Sequence, residues 1–165
     1  MKQIRNQESM KLAEALSIRK SLNTKLGDLR DRLYNMAKVA EGDEPAEDPA
    51  VLINDIDRVC SQLTKLITVI NRTNISVTNA AGETMTSMLS RRDVLKLQID
   101  ILRNAFEQAT SFASRYSRGE IKYVPAIDVK ILREKIDRLS KKYRELDMEI
   151  QTLNFSCDLV EEFEE

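Results

Sequence analysis

Clustered carboxylates are the first residues in this sequence whose types and spacing could do chemistry. Five of them fall in the segment VAEGDEPAEDPAVL: Glu41, Asp43, Glu44, Glu47 and Asp48. Calcium and magnesium prefer carboxylate oxygens, but an EF-hand loop needs ligands at alternating positions around a central glycine, an order that this segment lacks. Its two prolines instead end one helix and begin the next. We therefore interpret residues 38–50 as an acidic hinge, with a specific cation site as the alternative.

A second candidate site is a polar cluster, which would form if a hairpin after the second helix folds toward the loop before the last helix. Its members are Asn71, Arg72, Asn74, Arg91, Arg92, Asp93, Arg115, Arg118 and Glu120. Arg92 is in phase with an apolar stripe, where a buried guanidinium requires a carboxylate partner. Asp93 follows directly, but neighbouring residues point in different directions on a helix. The cluster is interpreted either as a ligand site or as structural ion pairing.

Several common enzyme mechanisms lack their usual participant in this sequence. Histidine, the usual proton-transfer group near neutral pH, does not occur. Cys60 and Cys157 form no CxxC motif, which argues against a zinc site or a Cys–His nucleophile. Cys60 falls within helical periodicity, so we predict a buried thiol. Because the sequence also lacks a glycine-rich phosphate loop and a G-x-S-x-G elbow, we expect no enzyme activity, no cofactor and no metal.

Basic side chains on the last predicted helix could contact nucleic-acid phosphates. They are Lys130, Arg133, Lys135, Arg138, Lys141, Lys142 and Arg144. Glu134 and Asp137 interrupt them, and they are not interleaved with a series of aromatic residues on which bases could stack. The whole chain has a net charge of only −1, in which residues 86–144 carry +7 and residues 145–165 carry −8. We interpret the basic residues as a solvated or salt-bridged helix face and expect no nucleic-acid partner.

Four amphipathic helices must position these residues. Apolar side chains recur in steps of three and four from Ala15 to Met36, Leu52 to Ile70, Leu95 to Tyr116 and Val129 to Leu153. A second stripe on the second helix, Ile53, Cys60 and Ile67, implies burial on two sides. The pattern predicts an all-α protein, an antiparallel four-helix bundle or coiled coil with long helices. Because aromatic residues make up only 5% of the chain, its core would be thin, and we expect a homo-oligomer.

Two interruptions separate these helices within a single helical domain, residues 1–165. Residues 71–86 fit a short β-hairpin that pairs Ile75–Val77 with Glu83–Met85. Residues 117–127 form a loop whose EIKYV segment alternates like a strand. Asp128, directly after that loop, is expected to cap the last helix.

The two ends of the sequence have a different composition from the helices. Residues 1–9 are expected to be a disordered or non-native leader before a native start at Met10, which an intact mass beginning at Met1 would refute. Residues 156–165 form an acidic tail. Apolar runs do not exceed about four residues, far short of the roughly 18 to 20 that a membrane-spanning helix requires. Because residues 1–9 also lack the apolar core of a secretory signal, we expect a cytoplasmic protein without a membrane span.

Six segments are distinctive enough to compare with known families. They are MKLAEAL, EGDEPAEDP, INRTN, RRDVL, RYSRGEIKYV and RELDMEIQTLNF, which begin at Met10, Glu41, Ile70, Arg91, Arg115 and Arg144. Together they span nearly the whole chain and resemble the septicolysin-like family of small bacterial coiled-coil proteins. The resemblance implies an all-helical, oligomeric bacterial protein of unassigned role, with a hexamer as one implied assembly. The family name suggests a cytolysin, but no residue identified here supports that activity.

We therefore expect a cytosolic, non-enzymatic structural or interaction protein that self-assembles through coiled-coil helices. An unidentified protein is a further candidate partner. The first alternative is a membrane-active, cytolysin-like protein that inserts amphipathic helices into bilayers. The second is a small-ligand or hydrolytic site in the polar cluster.

Overall fold

Four helices make up the regular structure of the computed structural model, which describes residues 9–111, 124–161 and 163. In chain order they are α1 Leu12–Met36, α2 Pro49–Ser76, α3 Met85–Thr110 and α4 Val129–Ser156. Within the described ranges no extended strand is present, and only isolated bridge positions occur. The predicted all-α fold of long helices is therefore confirmed.

The helices are distributed over two compact units. The first contains the described residues of 1–78 and 153–165, with α1, α2 and the last turn of α4. The second contains those of 79–152, with α3 and the remainder of α4. This grouping is finer than the single helical domain that the sequence predicted.

In the first unit, α1 and α2 pack against each other as a helical hairpin. Their core consists of Leu29, Leu52 and Val59, with Leu22, Leu26, Leu33, Met36 and Ile56 packed against it. All of these residues lie on the apolar stripes of the first two predicted helices. Full burial of one such side chain contributes about 1.5–3 kcal/mol relative to exposure, so this stripe is what holds the hairpin together.

The connection between α1 and α2 ends at Asp48, which caps the start of α2. The Asp48 carboxylate accepts a hydrogen bond from the Ala50 backbone N–H at 2.8 Å, and Pro49 is the first residue of α2. An acidic N-cap followed by proline satisfies free N–H groups and pre-sets the backbone for a helix. Gly42 has a φ of 94°, a left-handed conformation that glycine adopts without strain.

In the second unit, α3 and α4 run antiparallel. Arg92, early in α3, lies 3.6 Å from Asp147, and Arg103, later in α3, donates a hydrogen bond to Ser140 at 3.4 Å, earlier in α4. The buried side chains of this unit are Met85, Met88, Ile99, Leu132, Ile136, Leu146 and Ile150.

Asp128 caps α4 as predicted. Its carboxylate accepts hydrogen bonds from the backbone N–H groups of Lys130 and Ile131, both at 3.0 Å. The loop predicted for residues 117–127 lies outside the described residues up to residue 123. The same holds for Ala113 and Tyr116, at the end of the third predicted stripe.

The hairpin predicted for residues 71–86 is replaced by a tight turn. Helix α2 continues through Ile75 to Ser76, and α3 already begins at Met85, so the predicted strand pairing is wrong. The Asn79 side-chain oxygen accepts hydrogen bonds from the backbone N–H groups of Ala81 and Glu83, at 3.0 and 2.9 Å. Because the two helices leave only residues 77–84 between them, this asparagine turn takes the place of the two predicted strands.

Candidate interaction surfaces

The predicted polar cluster is covered only in part by the described residues. Asn71, Arg72 and Asn74 lie near the end of α2 rather than in a hairpin, and Arg91, Arg92 and Asp93 lie on α3. The remaining members, Arg115, Arg118 and Glu120, lie outside the described residues.

Arg72 forms an ion pair with the C-terminal segment. Its Nη1 donates to both carboxylate oxygens of Glu161, at 2.6 and 2.7 Å. Both side chains are about half exposed. Because water screens such a pair, it contributes at most about 1 kcal/mol to stability.

Arg92 is more buried than Arg72 and has two carboxylate partners. Its side chain is 25% exposed, its Nη2 lies 2.9 Å from Asp93 Oδ1, and its Nη1 lies 3.6 Å from Asp147 Oδ1. Arg92 therefore has carboxylate partners, as we expected for a guanidinium in phase with the apolar stripe. The expectation that Asp93 points away was wrong, because the long arginine side chain reaches its sequence neighbour. Ion pairing accounts for the position of Arg92 without a ligand.

The acidic segment also serves ion pairing. Arg32 on α1 donates from Nε to Glu47 Oε1 at 3.1 Å, and its Nη2 pairs with the other carboxylate oxygen. The Arg32 guanidinium holds the pKa of Glu47 below its ordinary value. Within the described ranges, no group of three or more potential metal-ligating side chains comes together.

The acidic tail is paired with the start of α1. Lys11 and Asp158 form an antiparallel bridge, in which the Leu12 N–H donates to the Cys157 carbonyl at 3.0 Å and the Leu159 N–H donates to the Met10 carbonyl at 2.9 Å. We call this pairing of residues 10–12 with residues 157–159 the terminal clasp. It attaches the predicted tail to the first unit.

A salt bridge reinforces the terminal clasp. Lys11 Nζ lies 2.7 Å from Asp158 Oδ1 and also donates to the Ser156 carbonyl at 3.2 Å. The hydrogen bond with Lys11 lowers the pKa of Asp158, with a further contribution from Ser9, and the hydrogen bond with Asp158 raises the pKa of Lys11. Both pKa shifts mean that pairing favours the charged forms of Lys11 and Asp158.

Cys60 is exposed, so the prediction of a buried thiol was wrong. The reason is that α2 packs on α1 with its other stripe, which leaves Ile53 48% exposed on the same side. Cys60 lines an open groove of about 460 Å³ between α1 and α2. The other lining residues are Asn23, Leu26, Gly27, Arg30, Leu33, Tyr34 and Ile56.

The α1 side of this groove combines an open position at Gly27 with a protruding side chain at Tyr34. A Cβ added at Gly27 would meet no atom of the described residues within 4 Å. Tyr34, two helical turns farther along the same side, is 69% exposed. Between them Arg30 and Asp31 form an exposed ion pair at 2.8 Å. We call these four residues the α1 face.

The outer side of α3 carries a band without charged residues, although 32% of the chain is charged. The α3 band consists of Thr86, Ser87, Ser90, Val94, Leu97, Gln98, Ile101, Asn104, Ala105 and Gln108. Its spacing of three and four residues places it on one side of the helix, away from the buried Met88 and Ile99. It extends for about 33 Å at 1.5 Å per residue.

Exposed aliphatic side chains form the centre of the α3 band. Val94, Leu97 and Ile101 are 65%, 60% and 57% exposed. One edge of the band is acidic, with carboxylates at intervals of seven residues: Asp93, Asp100 and Glu107. An apolar row bordered by a regularly spaced charged row is typical of a helix that packs against another helix.

The basic residues of α4 form a solvated surface. All seven are exposed, and Lys141 pairs with Glu145 at 3.8 Å. None of the helices in the described part of the chain is both long and apolar enough to cross a membrane.

Apolar periodicity alone missed the α3 band and the α1 face. Apolar periodicity identifies the stripe of side chains that enters the core. The α3 band lies on the opposite side of the same helix and is distinguished by its lack of charged residues. The α1 face could have been found from Gly27, since a glycine in the middle of a predicted helix lowers helix stability and needs a reason.

Comparison with known proteins places the chain in a family. Residues 19–159 match a family model described as "Family of unknown function (DUF6847)". The chain is also similar to the crystal structure of a functionally unknown conserved protein from Corynebacterium diphtheriae, with 38% identity and a TM-score of 0.85 over 92% of this chain and 99% of that one. No curated protein matches the sequence. Because the family model covers most of the chain, the protein belongs to this family of unknown function.

Proposed function

We propose that this chain is a non-enzymatic structural or interaction protein that self-assembles through its helices. The observation that carries the proposal is the α3 band, an uncharged row along α3 with Val94, Leu97 and Ile101 exposed at its centre. Aliphatic side chains in water weaken solubility unless a partner covers them. Other copies of the same chain are always present in the solution, which makes a second copy the simplest partner.

The energies support an assembly with more than one contact. Burying the exposed parts of Val94, Leu97 and Ile101 would contribute about 3–5 kcal/mol, taking about 1.5–3 kcal/mol for each fully buried side chain. Association costs about 4–15 kcal/mol in lost translational and rotational freedom. Covering the three side chains therefore offsets only the low end of this cost, and the remaining contacts of the band or a second surface must contribute.

The acidic edge of the α3 band favours a parallel arrangement of two α3 helices. In a parallel pair, Asp93 and Asp100 face the opposite edge of the partner band, where Gln98 and Ala105 lie and carry no charge. In an antiparallel pair the two acidic rows would face each other, and like charges at this distance destabilise a contact.

The same edge argues against a lipid bilayer as the partner of the α3 band. Helices that lie in a membrane interface are rich in Lys and Arg on the polar face, because membrane surfaces are anionic. Asp93, Asp100 and Glu107 would be repelled from such a surface. The cytolysin-like alternative thus predicts dye release from anionic vesicles, and self-assembly predicts none.

A single charge inserted in the α3 band tests the proposal. Leu97→Glu places a carboxylate in the centre of the band, and because Leu97 is 60% exposed the change should leave the helical circular dichroism and the melting temperature of the monomer nearly unchanged. The mass measured by light scattering should fall below that of the unmodified protein. Met148→Glu on α4, where the side chain is 71% exposed, is the matched control and should keep the mass of the unmodified protein. An equal effect of both variants, or of neither, would contradict a role of the band.

A further inference from the structure

The described residues of the chain offer no explanation for the glycine at position 27. It lies in the middle of α1, where glycine is less favourable than alanine because its backbone loses more freedom on folding. Its φ is not in the left-handed region, since the glycines with positive φ in the described residues are Gly42 and Gly82. A side chain at residue 27 would also meet no neighbour within 4 Å. The missing Cβ therefore leaves open space at the wall of the groove, which no atom of the described residues occupies.

Tyr34 is the complementary feature on the same side of α1. Its side chain is 69% exposed, and it lines the groove together with Gly27 and Arg30. An aromatic ring covers a large apolar area and loses little conformational freedom when it is fixed. Tyr34 lies seven residues from Gly27, so the protruding ring and the open position are separated by about 10 Å along one helix.

We propose that the α1 face is a two-fold contact between two copies of this chain, in which antiparallel α1 helices place Tyr34 of each copy over Gly27 of the other. About an axis midway between Arg30 and Asp31, residues equally far on either side face each other. Arg30 then meets Asp31 of the second copy, and Asp31 meets its Arg30. The surface is thus complementary to itself in shape and in charge, which is the condition for a two-fold contact.

The contact would also cover part of the exposed side of α2. Ile56 and Cys60 line the same groove as Gly27, and a tyrosine ring from the second copy would cover part of this apolar lining. The inference rests on the proposed self-assembly but is independent of the α3 band, because the residues of the α1 face belong to the first unit.

Charge exchange at the α1 face tests the arrangement. Arg30→Asp places a carboxylate opposite Asp31 of the second copy, and Asp31→Arg places a guanidinium opposite Arg30 of the second copy, so each change should raise the dissociation constant about tenfold or more. The double variant Arg30→Asp with Asp31→Arg restores both pairs and should restore the affinity. The exposed pair Arg58 and Asp55 on α2, 2.7 Å apart, is the control, and its reversal should leave the association unchanged.

Cross-linking tests the register, on a background in which Cys60 and Cys157 are replaced by serine. Chains with Gly27→Cys and chains with Tyr34→Cys are mixed and treated with oxidised glutathione as the oxidant. Because the two positions face each other across the axis, the mixture should form a disulfide-linked dimer, whereas each variant alone should not.

The outcomes separate the two proposals. An oligomer whose affinity is unaffected by both single charge variants, and which yields no mixed disulfide, would overturn the α1 contact and leave self-assembly intact. A chain that stays monomeric at every concentration would overturn self-assembly itself. Equal cross-linking of either cysteine variant with itself would contradict the antiparallel register.

Discussion

At the scale of single residues, Thr73 links α2 to the C-terminal segment through its hydroxyl. The side chain is fully buried; its Oγ1 donates to the Val69 carbonyl at 2.9 Å and accepts from the Val160 N–H at 3.2 Å. Valine has the same shape without the hydroxyl. Thr73→Val would leave the partly buried Val160 N–H without its acceptor, which costs about 1–3 kcal/mol.

The expected result of Thr73→Val is a lower free energy of unfolding in urea and faster hydrogen exchange at Val160. Thr68→Val is the matched control, because Thr68 is exposed and its hydroxyl donates only to the Thr64 carbonyl of the same helix, at 2.9 Å. Equal losses in the two variants would show that the bond to Val160 has no special role.

The salt bridge of the terminal clasp should depend on pH. The pKa of Asp158 is lowered from 3.8 by Lys11, so the contribution of this carboxylate is present above about pH 4 and is lost as the pH falls through its lowered value. The pKa of Lys11 is raised from 10.5, so its contribution is lost only as the pH rises through that raised value. The pair is therefore complete across the neutral range.

Asp158→Asn tests this dependence, since asparagine keeps the shape and removes the charge. We expect a melting temperature a few degrees below that of the unmodified protein near pH 7, and a difference that becomes smaller as the pH is lowered toward 2. Thermal melts followed by circular dichroism at both pH values measure it. A difference of the same size at both would mean that charge is not what Asp158 contributes.

At the scale of the elements, glycine at residue 27 makes α1 less stable than alanine at the same position would. Gly27→Ala should raise the free energy of unfolding of the monomeric chain by about 0.5–1 kcal/mol, because alanine restricts the unfolded backbone and meets no neighbour here. The added methyl group should nevertheless weaken the α1 contact, where the ring of Tyr34 would occupy the same space. Urea unfolding at low protein concentration and light scattering at high concentration measure the two effects, and a variant that gains both stability and affinity would contradict the role assigned to Gly27.

The helices themselves were predictable because their buried stripes repeat every three to four residues. Asp128 was recognised as a cap for the same kind of reason, since local hydrogen bonding decides a helix start. The turn at Asn79 was not predicted, because β-branched Ile75 and Val77 favour a strand locally while the helix continues through Ile75 in the structure.

The candidate surfaces were less accessible to sequence reasoning than the helices. Periodicity assigned Cys60 to a buried position, although which of two stripes on α2 is covered depends on packing and not on spacing. The pairing of Asp158 with Lys11 joins residues from opposite ends of the chain, and no local pattern specifies such a contact. The α3 band has the opposite character, since its lack of charge is visible in the sequence once both sides of a helix are considered.

At the scale of the whole molecule, the chain offers two surfaces that favour different directions of the paired helices. The α1 face would pair antiparallel helices about a two-fold axis, whereas the α3 band favours parallel helices. A chain with two distinct contacts assembles beyond a dimer and closes if their rotations are compatible. Self-assembly through these helices is the claim on which the proposals depend.

Multi-angle light scattering of the unmodified protein, from below micromolar to about 100 μM, tests that claim most directly. The account predicts a mass that rises with concentration to a whole multiple of 18.9 kDa. A mass of 18.9 kDa throughout this range would contradict it.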